Sequence, residues 1–143
     1  KGSDRDQVKA VASGEGDIAV VNTYYIGLML NDENVEERKA GESVGLIFPN
    51  QDGRGTHVNV SGIGVTKYAP NKDNAINLME FLSGEEAQQT LANLNYEYPI
   101  NPKATKADIL KTWGDFKSDP VELYKLGEYN SKAVMIFDEA GWK

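Results

Sequence analysis

A short apolar run that leads directly into a helical pattern constrains the fold of this chain most strongly. Residues 18–21 (IAVV) are all apolar, and such a run is typical of a strand buried on both faces. Asn22 and Thr23 follow, and Thr23 is predicted to cap a helix that begins with Tyr24 and Tyr25. In open α/β sheets ligands bind beyond the carboxyl ends of the strands, so this corner is a predicted ligand-binding position.

Other segments extend this pattern along the chain. Two further strands are predicted, at 44–49 (VGLIFP) and at 57–67 (HVNVSGIGVTK), where apolar and polar residues alternate. Helical patterns occupy residues 4–13, 70–82, 105–115 and roughly 121–140, and another begins near Ser83. The charge-rich stretch 32–43 is expected to be exposed. This order of elements predicts an α/β fold with a mixed sheet flanked by helices.

The composition excludes several classes of function. The 143 residues carry a formal net charge of −7, so no nucleic-acid partner is expected, because phosphates require a basic face. The absence of cysteine removes thiolate catalysis and cysteine-based zinc sites. No apolar run approaches the roughly 18–20 residues of a membrane span, so the chain is not expected to cross a membrane. Because it begins with Lys1, the N-terminus is expected to be processed, cut or otherwise not the native start.

The usual signatures of catalysis are missing, and the chain is not expected to be an enzyme. His57 is the single histidine, which excludes a histidine pair for zinc. Neither "GEG" at 14–16 nor "SGIG" at 61–64 is a nucleotide-binding glycine motif. His57 and Ser61 share one side of a predicted strand without the third member of a triad. His57 therefore has two interpretations, a structural residue or a metal ligand and pH sensor.

The adjacent phenols of Tyr24 and Tyr25 suggest a more specific chemistry. A protonated phenol, with a pKa near ~10, is a weak ligand, but a highly charged cation favours the phenolate. Phenolate is a hard oxygen donor that matches Fe(III) better than zinc or Cu(I). The alternative is ordinary packing, with one ring turned inward and the other covering the surface. Residue chemistry alone leaves both interpretations open.

Four segments, taken in order, carry a family resemblance over essentially the whole chain. They are "GDIAVVNTYYIGLML" (16–30), "GTHVNVSGIGVTKYAPNKDNAINLMEFLSGEEAQQ" (55–89), "NYEYPIN" (95–101) and "FDEAGWK" (137–143). They resemble the tyrosine-pair segment, the hinge-crossing strand with its following helix, the EYP turn and the C-terminus of one family. That family is the periplasmic ferric-ion-binding proteins, the solute receptors of bacterial iron ABC transporters.

The resemblance implies roles for particular residues. Tyr24 and Tyr25 match the adjacent iron-ligating tyrosines, and the transported ligand is Fe(III), with or without a synergistic anion. Asn22 matches a position that contacts this anion in some members, and it is otherwise a turn residue. Tyr96 and Tyr98 are expected to be packing residues. The implied protein is periplasmic, and it delivers iron to an inner-membrane ABC permease.

The resemblance also implies a fold and an organisation into lobes. Family members have the two-lobed type 2 periplasmic-binding-protein fold and are considerably longer, so the chain is expected to be the C-terminal portion of such a receptor. Residues 1–58 are expected to belong to the C-terminal lobe and to carry the tyrosine site. Residues 59–108 would supply the hinge strand and part of the N-terminal lobe, and 109–143 would return as helices of the C-terminal lobe.

The missing N-terminal half is the expected partner of this chain. If the chain is present alone, a second copy is the alternative partner, because exposed core surface must be covered.

Two other functions remain open at this point. One is a related receptor for an oxyanion, polyamine or sugar, and the other is a fragment with no binding of its own.

Overall fold

The computed structural model describes residues 2–142, so Lys1 and Lys143, the outermost residues of the predicted lobe segments, lie outside the described part. The helices of this part are α1 Asp4–Ala12, α2 Thr23–Leu30, α3 Val35–Glu42, α4 Lys72–Ser83, α5 Glu85–Asn95, α6 Asp108–Thr112 and α7 Tyr124–Glu139. The chain forms two compact units. One contains residues 2–47 and 59–115, and the other contains 48–58 and 116–142.

The predicted mixed sheet does not form within residues 2–142. The segments 18–21, 44–49 and 57–67 belong to no strand there, and the β-pairing in this part is one isolated parallel bridge between Thr56 and Ser118. A strand requires a neighbour that takes its backbone hydrogen bonds, and these three segments do not pair with one another. None of the three predicted strands therefore forms within the described residues.

Burial along two of these segments alternates with a period of two residues. Val21, Val44 and Leu46 pack against the core, whereas Ile18, Val20 and Ile47 are 78%, 80% and 73% exposed. This alternation is typical of an extended chain with one packed face. The prediction that residues 18–21 are buried on both faces is wrong, because no described residue covers the second face.

The core of the larger unit fixes the orientation of α2. Val8 of α1 and Ile26 and Met29 of α2 form its buried centre, with Met29 completely inaccessible to solvent. Ile26 and Met29 are three residues apart and therefore lie on one face of the helix. On α3, a methyl group added at Gly41 would lie 3.2 Å from Cβ of Met29, so the glycine permits the close approach of α3 to α2.

Charged side chains join α1 to the segment that contains α3. Arg5 Nη1 lies 2.6 Å from Asp32 Oδ2 and 3.4 Å from Glu37 Oε2, and Lys9 also pairs with Glu37. The side chain of Asn34 caps α3 by accepting a hydrogen bond from the backbone N–H of Glu36 at 2.9 Å. Within the stretch 32–43, residues 35–42 therefore form a capped helix that the sequence did not predict. Glu33, Glu36, Lys39 and Glu42 are exposed, as expected for a charge-rich stretch, whereas Glu37 is half-buried.

The smaller unit is held together by backbone and side-chain contacts between its two segments. Thr56 N–H donates to Lys117 O at 2.8 Å, and the rings of Phe48 and Phe116 stack with centroids 4.3 Å apart. The helix α7 exposes large apolar side chains, including Met135 and Phe137.

Across residues 2–142, no helix combines the length and apolar content that crossing a membrane requires.

Candidate metal site at the tyrosine pair

The start of α2 places Tyr24 and Tyr25 in the first turn of a helix, close to the predicted position. The N-cap is Asn22, with extended dihedral angles of φ −77° and ψ 136°, and the predicted cap at Thr23 is wrong. Thr23 already has helical geometry, so it cannot occupy the cap position. Side chains on a helix lean toward its N-terminus, so both phenols project toward the beginning of α2.

The two phenol rings lie against each other at the beginning of α2. Their centroids are 4.3 Å apart, the ring planes are tilted by 31°, and both residues are half-buried. A side-chain hydrogen bond with Tyr25 is the largest cause that raises the pKa of Tyr24 to about 12. Burial and then electrostatic interactions with Tyr25, Asp4 and Glu97 contribute the rest of this rise in pKa, so the phenol of Tyr24 is protonated at neutral pH.

Asn22 is held from both sides by residues that the sequence did not indicate. Its backbone N–H and its side-chain Nδ2 both donate to Asp4 Oδ2, at 2.8 Å and 3.1 Å. Its Oδ1 accepts a hydrogen bond from Asn59 Nδ2 at 3.2 Å. Asp4 and Asn59 are 18 and 37 residues away along the chain, so no local pattern could have identified them.

The EYP turn contributes two residues to the surroundings of the tyrosines. Glu97 Oε1 accepts a hydrogen bond from Ser61 Oγ at 2.8 Å. The side chain of Tyr96 packs on Gly27, where an added methyl group would lie only 2.5 Å from the tyrosine Cβ. The prediction that Tyr96 is a packing residue is confirmed, whereas the nearness of Glu97 to Tyr24 was not predicted.

The donor atoms that the chain offers to a metal at this position are phenol oxygens. Within residues 2–142, no three His, Cys, Asp or Glu side chains cluster in a way that could hold a metal ion. His57 is exposed and belongs to the unit formed by 48–58 and 116–142. Two phenolate oxygens suit a hard, highly charged cation and fill only part of its coordination sphere.

Comparisons with known proteins agree on one family. Residues 3–118 match the model of the bacterial extracellular solute-binding protein family. Iron uptake protein A1 of Synechocystis is 48% identical over 143 residues, which are 100% of this chain and 40% of that protein. A ferric binding protein from Campylobacter jejuni superposes with a TM-score of 0.94 and 46% identity, covering 100% of this chain and 45% of that one.

A second solved structure adds a bound ligand to the comparison. A Trichodesmium protein (IdiA, FutA), solved in complex with iron and citrate ligands, has a TM-score of 0.93 and 43% identity. It too covers 100% of this chain, which corresponds to 45% of the Trichodesmium chain. The present chain thus spans less than half the length of the relatives it matches.

The chain belongs to the bacterial extracellular solute-binding protein family. The predicted resemblance to ferric-ion-binding proteins is confirmed, since relatives named for iron uptake or ferric binding match along the whole chain.

Proposed function

We propose that this chain binds Fe(III) through the phenolate oxygens of Tyr24 and Tyr25. It does so as the C-terminal part of a periplasmic receptor that delivers iron to an inner-membrane ABC permease. The observation that carries the proposal is the pair of phenol rings held 4.3 Å apart in the first turn of α2. The names of the relatives, which refer to iron uptake and ferric binding, support it.

The electrostatics around the pair are consistent with a highly charged cation as cargo. A phenol whose pKa is about 12 keeps its proton at neutral pH, so a cation must displace that proton in order to bind. The carboxylates of Asp4 and Glu97, which disfavour the bare phenolate, favour the complex with a trivalent ion. A weakly charged or neutral solute would gain nothing comparable from these groups.

Asn22 is proposed to contact an anion that completes the iron sphere. Its side-chain oxygen accepts from Asn59, and Asp4 takes one of the two N–H donors of its amide nitrogen. We assign the second N–H to a synergistic anion. Asn22 thus combines the two interpretations that the sequence left open, since it is both a turn residue and a donor beside the tyrosines.

The remaining iron donors are proposed to come from an N-terminal portion of the receptor. The same portion would cover the exposed apolar faces, which include Ile18, Val20 and Ile47 beside the core and Phe137 on α7. We call this chain together with that portion the complete receptor. Alternatively, a second copy of the chain covers these apolar faces. Sedimentation of the isolated chain distinguishes the two possibilities, because a second copy would give a dimer, whereas a chain that needs its N-terminal portion would sediment as a monomer.

The lobe assignment is also a proposal. Residues 1–58 and 109–143 are assigned to the C-terminal lobe and 59–108 to the N-terminal lobe, whereas the compact units join 2–47 with 59–115. Hydrogen exchange on the complete receptor, with and without iron, tests the assignment. Segments of one lobe should change protection together, and a shared response of 2–47 and 59–108 against 109–142 would contradict it.

Calorimetry on the complete receptor tests the proposed cargo. Ferric citrate should bind, whereas phosphate, putrescine and glucose, offered separately without iron, should give no heat of binding. The Tyr24→Phe, Tyr25→Phe double variant should lose iron binding, and Tyr68→Phe, a change at an 85% exposed tyrosine, should not. Binding of an iron-free solute would favour a receptor for that solute, and no binding of ferric citrate would contradict the proposed cargo. Ferric citrate titrated into the isolated chain tests the remaining alternative, a fragment with no binding of its own.

A further inference from the structure

A segment without regular structure makes two unusually distant side-chain contacts. Residues 59–61 are exposed and lie outside any helix, yet Asn59 and Ser61 hydrogen-bond to residues 37 and 36 positions away. Asn59 and Ser61 are two residues apart, so this short segment connects two distant parts of the larger unit.

The first contact reaches the residue just before α2. Asn59 Nδ2 donates to Asn22 Oδ1 at 3.2 Å, while Asp4 accepts from the backbone and side-chain nitrogens of Asn22 on its other side. Asn22 is the N-cap of α2, so the direction in which the first turn leaves the cap depends on how this residue is held. The tyrosine pair occupies that first turn.

The second contact reaches the other side of the tyrosine pair through the EYP turn. Ser61 Oγ donates to Glu97 Oε1 at 2.8 Å. The neighbouring Tyr96 has left-handed backbone geometry, with φ 55° and ψ 32°, which directs its side chain onto Gly27. Gly27 comes two residues after Tyr25, so the turn contacts α2 just beyond the pair.

These contacts connect the residue before the tyrosine pair to a residue just after it. Asn22 contacts Asn59, Ser61 contacts Glu97, and Tyr96, the neighbour of Glu97, packs on Gly27 of α2. We propose that four residues outside α2, which we call the tyrosine bracket, are positioning residues of the tyrosine site. They are Asn59, Ser61, Tyr96 and Glu97.

The bracket acts on iron through the tyrosines and through Asn22, and it supplies no ligand itself. It fixes the beginning of α2 and the position after the pair, and thereby the separation at which both phenolate oxygens meet one ion. Misplacement of donors lowers affinity even when every ligand is present. The inference rests on the proposed function, because the effect of positioning is read through iron binding at the pair.

The test uses the complete receptor with variants of the two hydrogen-bonding residues. Asn59→Ala and Ser61→Ala each remove one bond of the bracket, whereas Ser61→Thr keeps the hydroxyl. Asn93→Ala is the matched control, because Asn93 on α5 is also exposed and also has a side-chain hydrogen bond, to Gln89 at 3.3 Å. Iron affinity by competition with citrate and the maximum of the phenolate-to-Fe(III) absorption band are measured for each protein.

The bracket predicts a specific pattern of results. Asn59→Ala and Ser61→Ala should each weaken iron affinity roughly two- to tenfold, the effect of one lost hydrogen bond, and should shift the absorption maximum. Ser61→Thr and Asn93→Ala should match the wild type in both readouts. A purely structural role would change the melting temperature of the variants without moving the absorption maximum.

The possible failures can be told apart. If the wild-type receptor binds iron through the tyrosines, but Asn59→Ala and Ser61→Ala keep its affinity and absorption maximum, the bracket is wrong and the proposed function stands. Ser61→Thr behaving like Ser61→Ala would also overturn the bracket. If the wild type shows no phenolate–iron band, both the proposed function and the bracket are wrong.

Discussion

Adding one methyl group at Gly27 should destabilise the protein, because the space it would need is already occupied. The new Cβ would lie 2.5 Å from Cβ and 2.6 Å from Cγ of Tyr96, whereas carbon atoms in contact prefer about 3.5–4.0 Å. Rotating the tyrosine ring gives no relief, because Cβ moves only with the backbone, here in the left-handed conformation at the end of α5.

The size of the effect follows from two opposing terms. Overpacking costs about 1–3 kcal/mol, and alanine in place of glycine inside a helix returns about 0.5–1 kcal/mol. Gly27→Ala should therefore lower the free energy of unfolding by about 1 kcal/mol, and by at most about 2.5 kcal/mol, which lowers the melting temperature by roughly 2–8 °C. Thermal and urea unfolding followed by circular dichroism measure both quantities.

Gly127 provides a matched control on α7. A methyl group added there would have no neighbour within 4 Å, so the same substitution should leave the stability unchanged or raise it by up to about 1 kcal/mol. Gly27→Ala should thus be clearly less stable than Gly127→Ala. If Gly27→Ala were as stable as the wild type, or if Gly127→Ala were the more destabilised variant, the packing of Tyr96 on α2 would be refuted.

Three further predictions concern the core and the titrating groups. Met29→Ala should cost about 2–5 kcal/mol in urea unfolding, because Met29 is 0% exposed and its loss leaves a cavity. A hydrogen bond from the Asn34 N–H, and then one from Arg5, lower the pKa of Asp32 below its ordinary value of 3.8. The ionised carboxylate therefore stabilises the folded protein above that pH, and this stabilisation should disappear as the pH falls further. Urea midpoints measured against pH should show this acid loss in the wild type and less of it in Asp32→Asn. In the metal-free protein, phenolate absorbance should show a tyrosine ionising near pH 12 that is absent from Tyr24→Phe, because the bond with Tyr25 and burial raise this pKa.

Local sequence was enough to place α2 and its tyrosines within one residue. The apolar periodicity after residue 22 is a local property, and the helix begins at Thr23, one residue before the predicted start at Tyr24. The cap was misplaced by one position because Asn22 and Thr23 are both favourable capping residues. The helix α3 was missed because its contacts lie far along the chain. Glu37 pairs with Arg5 and Lys9 of α1, and Gly41 approaches α2, and such partners cannot be read from a charge-rich stretch alone.

The surroundings of the site depend on contacts that sequence spacing does not encode. Asp4, Asn59 and Glu97 approach the tyrosine turn only because the fold brings distant segments together. The same reason explains the missing sheet. Segments 18–21 and 44–48 alternate in burial as strands do, but their pairing depends on partners that the described residues do not provide.

A visible-absorption titration of the complete receptor with ferric citrate tests the central claim most directly. Phenolate ligation of Fe(III) predicts a coloured complex that saturates at one iron per receptor. The absorption band should weaken and shift in Tyr24→Phe and in Tyr25→Phe, vanish in the double variant and persist in Tyr68→Phe. An unchanged band in the double variant, or tight iron binding without any visible band in the wild type, would contradict ligation by Tyr24 and Tyr25.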